Sequence, residues 1–241
     1  MPVLLLCQGD PEAKDLLRRA IESRYGINPP AIESLRIDFT GRARIKLGPI
    51  RTWVPVEATA SFVFPTHLRW DFVVKPLGLS IQRGIEAFDG STYRMARGNN
   101  LANQLKQTDI IASARGRLWS MAAILLTPMS DHYIKISNCG EYCIEAANTE
   151  LKDSVRLELR DNYTIDFAQV ECLNPDTNRL QQHTLQLADE QNPIGDLMLP
   201  AKVSAYWDDE LFYEMEPVAV DLNAEFDEDW FSLGMAASSS Y

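Results

Sequence analysis

Residues 51–75 read RTWVPVEATASFVFPTHLRWDFVVK, and their hydrophobic side chains recur at every second position. The alternation runs up to Phe64 and resumes from Leu68 to Val74 after a break at Pro65. A period of two is the side-chain period of a β-strand. The stretch therefore predicts a long antiparallel hairpin whose apolar face is rich in aromatic residues. Such a face must be covered either by protein or by a hydrophobic ligand.

The same period extends in both directions from this hairpin. Residues 35–47 alternate before it, and seven short strand-like runs separated by turn residues follow between residues 133 and 221. A helical pattern at about residues 11–25 precedes the strands, and a second one at about residues 113–127 interrupts them. Hairpin connections favour antiparallel pairing. We predict a mainly β (α+β) fold, a curved antiparallel meander or incomplete barrel with an N-terminal helix and a central apolar helix.

The two predicted helices differ in character. Asp10 is a suitable N-cap for the first, Gly26 is a suitable stop, and its apolar residues form a single stripe. The second runs from Ser113, a candidate cap, to Thr127 before Pro128, and it is apolar on nearly all sides. A helix of this second kind is expected to be buried.

Charge divides the chain unevenly. Its net charge is −11, yet residues 183–241 hold 13 of the 34 acidic residues and a single base, Lys202. We predict one domain over residues 1–222, followed by an acidic and disordered tail over residues 223–241. A chain with this balance is not expected to bind nucleic acid, because such binding depends on neutralising phosphates.

Simple sequence patterns also disfavour a transmembrane protein and a secreted protein. No apolar run approaches the ~20 residues of a transmembrane helix. Val3–Cys7 lacks the basic flank and the length of a secretion signal, and four cysteines in a chain this long suit a reducing compartment. The sequence therefore predicts a cytoplasmic protein, with no cofactor.

Several short motifs together resemble a known group. These are Leu35–Gly41, Trp53–Ala58, Leu68–Phe72, Ala87–Gly90 and the helix Trp119–Pro128, followed by a late strand from Pro200 to Trp207. The pattern is similar to that of an uncharacterised bacterial family of LolA-like, or lipoprotein-carrier-like, proteins, and the resemblance covers roughly residues 28–222.

The resemblance implies both a fold and a class of function. LolA-like proteins form an incomplete β-barrel closed by helices, and the best-understood ones hold acyl chains on the concave face. A smaller shell of this kind, VioE, steers an aromatic intermediate. We therefore expect a non-catalytic binding protein or carrier for a hydrophobic or amphipathic small molecule or lipid. The alternatives are a cofactor-free enzyme that shapes an aromatic or polyene intermediate, and an adaptor that binds a protein through its tail.

Six residues are the candidates for lining a ligand cavity. They are hydrophobic residues of the aromatic hairpin and of the second helix: Phe62, Trp70, Phe72, Trp119, Met121 and Leu125. The alternative interpretation is that these side chains interdigitate as an ordinary core.

The acidic tail carries its own aromatic cluster. Phe226, Trp230 and Phe231 lie among acidic residues, a composition that can dock in the groove of a partner. The same residues could instead cover the protein's own cavity, or they could belong to a disordered end.

Motifs for catalysis or metal binding are weak. Cys139 and Cys143 would lie about 13 Å apart on a continuous strand, and only a turn at Gly140 would bring them together. With His132 they would supply three ligands, one fewer than a structural zinc site needs. None of the three histidines lies in a nucleophile motif, and no phosphate-binding glycine loop is present. The sequence therefore predicts no metal site and no catalytic residue, and it favours a role other than catalysis.

Overall fold

The computed structural model describes residues 5–47, 50–75, 82–98, 103–104, 108–174 and 177–233. Two helices are present in these ranges, α1 (Pro11–Tyr25) and α2 (Thr108–Ala123), and a 3-10 turn covers Thr127–Ser130. The strands are β1 (Gln8–Gly9), β2 (Ser34–Leu47), β3 (Ile50–Val63), β4 (His67–Val74), β5 (Gln82–Asp89), β6 (Tyr93–Arg97), β7 (Asn103–Gln104), β8 (Ile134–Gly140), β9 (Cys143–Asn148), β10 (Asp153–Leu159), β11 (Ile165–Leu173), β12 (Leu180–Leu187), β13 (Gln191–Ile194), β14 (Leu197–Pro200), β15 (Val203–Trp207) and β16 (Glu210–Leu222).

Fourteen of the described strands form one sheet. Its order is β1-β8-β9-β10-β11-β12-β15-β16-β2-β3-β4-β5-β6-β7, and β13 and β14 form a separate hairpin. Every neighbouring pair in the large sheet is antiparallel except β1 and β8. The pairing of β16 with β2 joins the two halves of the chain. The predicted antiparallel, mainly β architecture is confirmed.

The aromatic hairpin that dominates the sequence is β3 and β4. Phe62 lies opposite Leu68, and Ala60 lies opposite Trp70, so the alternating apolar residues share one face. That face is the concave side of the sheet. The sequence pattern also predicts a strand near Leu79–Phe88. The observed β5 spans the later part of that stretch, and residues 76–81 lie outside the described ranges.

Helix α1 has the predicted bounds, residues 11–25, and packs its buried stripe near β8 and β9. Its end at Gly26 is as predicted, with a positive φ of 70°. Asp10 occupies the predicted N-cap position, but its side chain makes no capping hydrogen bond. Its Oδ2 instead accepts a hydrogen bond from the Asn138 backbone N–H at 3.1 Å, which ties the start of α1 to β8.

Helix α2 is displaced from the predicted 113–127. It begins five residues earlier, at Thr108, and ends at Ala123. Ser113 is not its cap, because the Ser113 hydroxyl accepts a hydrogen bond from the Leu173 backbone N–H at 3.0 Å within the helix–sheet contact. The chain leaves the helix before Leu126, whose φ is +66°, and continues in the 3-10 turn. The apolar residues after Ala123 are therefore buried as a loop rather than as helix.

The cysteines of β8 and β9 form a disulfide. The turn between the strands brings the Cα atoms of Cys139 and Cys143 to 5.0 Å. The turn arrangement that the sequence left open is therefore the one present. The remaining cysteines, Cys7 and Cys172, are free and buried.

The predicted tail is in part ordered against the sheet. The Asn223 backbone N–H donates to the Ser34 carbonyl at 2.9 Å, and the Ser34 hydroxyl donates to the Ala224 carbonyl at 2.8 Å. Phe231 is only 5% exposed. Disorder was expected from residue 223, but residues 223–233 pack on their own chain, and residues 234–241 lie outside the described ranges. The domain boundary at residue 222 stays a prediction.

Candidate functional site

The concave face of β2–β5 is built in rows of unequal side chains. One row across the strands reads Phe39, Ala58, Phe72 and Gly84, and the next reads Ile37, Ala60, Trp70 and Glu86. In each row a small residue on β3 separates large residues on β2 and β4. The middle strand therefore leaves a hollow between two raised edges.

Helix α2 crosses above this hollow without filling it. The larger of two neighbouring cavities has a volume of about 280 Å³. Its apolar lining comes from the sheet and from α2, and includes Val56, Phe72, Leu118, Met121 and Phe212. This volume is near the lower end of the ~300–1,000 Å³ of small-molecule pockets.

The second cavity is smaller and almost entirely apolar, with a volume of about 30 Å³. Its lining includes Ile37, Phe39, Phe62 and Leu125, and it shares Trp70, Met121, Tyr213 and Met215 with the larger one. Two of the four shared side chains are methionines, which have flexible chains and adapt to irregular gaps. The two cavities are therefore neighbours separated by adaptable side chains.

Aromatic contacts hold the wall between the cavities. The Trp70 ring stacks on Tyr213 with centroids 6.3 Å apart and lies tilted against Phe39 at 5.8 Å. Burial raises the pKa of Tyr213 above its ordinary value. The Tyr213 hydroxyl therefore stays neutral and can serve as a hydrogen-bond group beside the apolar lining.

Phe72 depends on the glycine opposite it. A Cβ at Gly84 would lie 2.2 Å from the Phe72 ring, so the ring occupies the space that a side chain would need. Gly84 thereby makes room over β5 for the ring of Phe72, which lines the larger cavity.

An ion pair lies in the lining of the larger cavity. Arg117 of α2 donates from Nη2 to Glu86 Oε2 of β5 at 2.9 Å, and the two side chains are only 14% and 13% exposed. Burial disfavours the charged guanidinium, but the Glu86 carboxylate and further neighbours outweigh it, so the pKa of Arg117 is raised. The arginine is therefore a fixed positive charge inside a largely apolar site.

A buried histidine completes this polar end. His183 of β12 is 3% exposed, and its ring lies 4.8 Å from that of Trp207. Burial, assisted by the Arg117 charge, lowers the pKa of His183 to about 3, so the imidazole is neutral. Its Nδ1 is buried and has no hydrogen-bond partner within the part of the chain that the structure describes.

The structure brings together five of the six predicted lining residues. Phe62 and Leu125 line the smaller cavity, Phe72 the larger, and Trp70 and Met121 both. Trp119 belongs to neither lining. It is fully buried on the other side of α2, near the contact of that helix with β10 and β11.

The tail aromatics lie on the opposite face of the sheet. Arg69 of β4 stacks under the Trp230 ring at 3.9 Å and donates a hydrogen bond to its carbonyl oxygen. Phe231 meets the ring of His67 edge-on at 5.4 Å, and Phe226 contacts Phe231 at 5.2 Å. The described part of the tail is therefore not placed to cover the cavities, and its role in partner binding stays a prediction.

Sequence reasoning missed Glu86, Arg117 and His183. A signal existed for Glu86, which has the same strand parity as Gly84 and Phe88 and so faces inward. Arg117 interrupts an apolar helix, four residues before Met121, and that spacing puts both on one helix face. His183 gave no such signal, because a lone histidine in a polar run resembles a surface residue.

Two further features bear on the class of site. In the described ranges neither helix has both the length and the hydrophobicity to cross a membrane. No three histidine, cysteine, aspartate or glutamate side chains gather as a metal site within those same ranges.

The fold and site define a class: an open antiparallel half-barrel that wraps a central helix and keeps an apolar cavity beneath it. This is the LolA-like fold, and the predicted resemblance is confirmed at the level of fold. No family model and no curated protein matches the sequence.

Solved structures supply the comparison. A DUF1329 family protein from Desulfovibrio piger is similar over 94% of this chain and 98% of its own, with a TM-score of 0.51 and 11% identity. A LolA superfamily protein from Nitrosomonas europaea covers 90% of this chain and 96% of its own, with a TM-score of 0.52 and 11% identity. A proposed outer membrane lipoprotein-sorting protein domain from Vibrio parahaemolyticus covers 93% of this chain and 98% of its own, at 0.51 and 9%. Identities this low describe a shared fold alone.

Proposed function

We propose that this protein is a non-catalytic binding protein or carrier, which holds a hydrophobic or amphipathic small molecule between the concave face of β2–β5 and α2. The observation that carries the proposal is the cavity of about 280 Å³ between a well-packed helix and the aromatic strands. Burial of apolar ligand surface there would stabilise a complex by about 25 cal/mol per Å² before the costs of association.

The lining chemistry supports binding over proton transfer. His183, with a pKa of about 3, is a weak base near neutral pH, and Tyr213 is held in its neutral form. Glu86 is engaged by Arg117. Efficient general acid–base catalysis needs a group whose pKa lies near the working pH. Binding therefore remains the preferred function.

The test is native mass spectrometry of freshly purified protein, with organic extraction of any bound molecule. We expect a hydrophobic passenger at stoichiometric occupancy. Val56→Phe places a ring in the larger cavity and should lower occupancy, whereas Val218→Phe, at a half-exposed position of β16, should leave it unchanged. An empty protein that also takes up no fluorescent fatty-acid probe would contradict the proposal.

Cytoplasmic localisation stays a prediction, and one observation weighs against it. Stable disulfides belong mainly to oxidising compartments, and Cys139 and Cys143 form one here. Alkylation of the thiols during cell lysis, followed by intact-mass measurement, would decide the matter. Alkylation of these two cysteines would support the reducing compartment, and their protection would support an oxidising one.

A further inference from the structure

The charged groups that line the larger cavity do not balance. They are Arg44, Arg117 and Glu86, which leaves one excess positive charge because His183 is neutral. The Arg44 side chain is directed partly away from the cavity, because its Nη1 donates a hydrogen bond to Glu210 at 2.8 Å. Arg117 is the more deeply buried of the two arginines. The positive charge most enclosed by the apolar lining is therefore that of Arg117.

Arg117 retains hydrogen-bonding capacity. A guanidinium has five N–H donors in a planar fork. Its Nη2 donates to Glu86, the Cys172 thiol lies within hydrogen-bonding reach of the guanidinium, and Trp207 makes a cation–π contact at 5.7 Å. An arginine fork of this kind fits the two oxygens of a carboxylate.

A second polar group at the same end also lacks a partner. His183 Nδ1 is buried and unpaired in the described part of the chain, and His183 lines the same cavity as Arg117. A buried polar atom without a partner costs free energy. Nδ1 itself is enclosed by protein atoms, so the polar group that a ligand meets at this end of the cavity is Arg117.

We propose that Arg117 binds the carboxylate head of an amphipathic ligand and that the apolar chain of this ligand lies beneath α2. The chain would run along Val56, Phe72 and Leu118 toward Met121. This inference rests on the proposed binding function and names its ligand class, a single-chain carboxylate. A cavity of about 280 Å³ suits one short chain rather than several.

Glu86 would tune this site. In the empty protein it neutralises the buried guanidinium, which would otherwise be an isolated charge. When a carboxylate binds, Glu86 becomes a second negative group on the same guanidinium and opposes binding. Removing its charge should therefore strengthen binding of the carboxylate but not of a neutral head.

The experiment is calorimetric titration with decanoate and 1-decanol, two probes of equal chain length, at pH 8. We expect the protein to bind decanoate at least tenfold more tightly. Arg117→Met should abolish this preference with little change in decanol affinity. Glu86→Gln should raise decanoate affinity several-fold. Arg156→Gln, at an exposed arginine of β10 outside the cavity, is the matched control and should leave the preference in place. Arg44→Gln tests the other arginine of the lining as a competing anchor.

Circular dichroism checks that each variant is folded. If Arg117→Met unfolds because Glu86 is left unpaired, Arg117→Met combined with Glu86→Gln replaces it and should show no preference. Equal binding of both probes by the unmodified protein, or loss of the preference in Arg44→Gln alone, would overturn the Arg117 assignment while leaving the binding function intact. Failure of all folded proteins to bind either probe would instead contradict both the binding function and the anchor.

Discussion

On the side facing β10 and β11, α2 buries Trp119, Ala122 and Ala123 completely, whereas on the side facing β2–β5 it leaves the larger cavity. Each side of the helix forms one ion pair with the sheet. Arg115 pairs with Asp153 of β10, and Arg117, two residues later, pairs with Glu86 of β5. The same helix therefore covers two halves of the sheet. We call β10 and β11 the packed half and β2–β5, which border the larger cavity, the gapped half. The packed half fixes the position of the helix, so the gap opposite it can persist.

Removing an aromatic side chain should separate the two halves most clearly. Trp119→Ala should cost about 3–5 kcal/mol of the free energy of unfolding, because its ring fills the packed half. Trp70→Ala should cost roughly half as much, since Trp70 already borders empty space. Urea denaturation measures both values, and equal losses would mean that the two halves are packed alike.

Acidification should reveal the buried imidazole of the gapped half. The folded protein holds the pKa of His183 at about 3, well below the ordinary 6.5, so below pH 6.5 the unfolded chain binds a proton that the folded chain does not. Stability is therefore full above pH 6.5 and falls as the pH drops toward 3, by about 3 kcal/mol at pH 4.

Unfolding measured from pH 7 to pH 4 checks this, with His183→Gln expected to flatten the decline. His132→Gln is the control, because His132 is exposed and bonded only to its neighbour Asp131 among described side chains. Identical pH profiles for the protein and His183→Gln would show that water reaches the imidazole.

Adding volume should have opposite consequences in the two halves. Ala168 is fully buried on β11, opposite Leu157 and Leu185, so Ala168→Leu should overpack its surroundings and cost about 1–3 kcal/mol. Val56→Phe extends into the larger cavity and should change stability by less than about 1 kcal/mol. Thermal unfolding compares them, and a large loss for Val56→Phe would indicate a cavity too rigid to accept a ring.

Substitutions on the outer face of the sheet should have the smallest effects on stability, and they provide a baseline for the losses in both halves. Trp230→Ala removes the stack on Arg69 and should cost about 1 kcal/mol. Hydrogen exchange over residues 223–233 should rise in this variant. Trp53→Ala removes a looser stack, with Arg42 at 4.9 Å, and should cost less than about 0.5 kcal/mol. Unchanged exchange in Trp230→Ala would mean that the tail is held by its other contacts.

The sequence was sufficient for the sheet and for one wall of the site. Strict alternation in residues 51–75 identified the inward face, because strand geometry alone sets that period. It could not distinguish Trp70 from Trp119, since both lie on apolar stripes and only the register across several strands decides which one borders a gap. The small residues Ala58 and Ala60, which create the hollow, matter only beside Phe39, Phe72 and Trp70.

The polar end of the larger cavity could not be predicted, because it is formed by contacts between distant parts of the chain. Glu86 and Arg117 are 31 residues apart on a strand and a helix, and His183 joins them from a second strand, β12. Their meeting follows from the order of strands in the sheet, which local patterns do not specify. The sequence left the pairing of Cys139 with Cys143 open for a simpler reason, because one turn decides whether two cysteines four residues apart can meet.

The glycine at position 84 has an evolutionary consequence. Because Gly84 has no side chain, the Phe72 ring lies directly over it. A methyl group at position 84 would displace the ring toward the hollow. The capacity of the cavity could thus be reset by a single codon change at a position two residues from Glu86 on β5. If the protein binds the proposed carboxylate, a change at position 84 would alter the chain length that fits while leaving Arg117 in place.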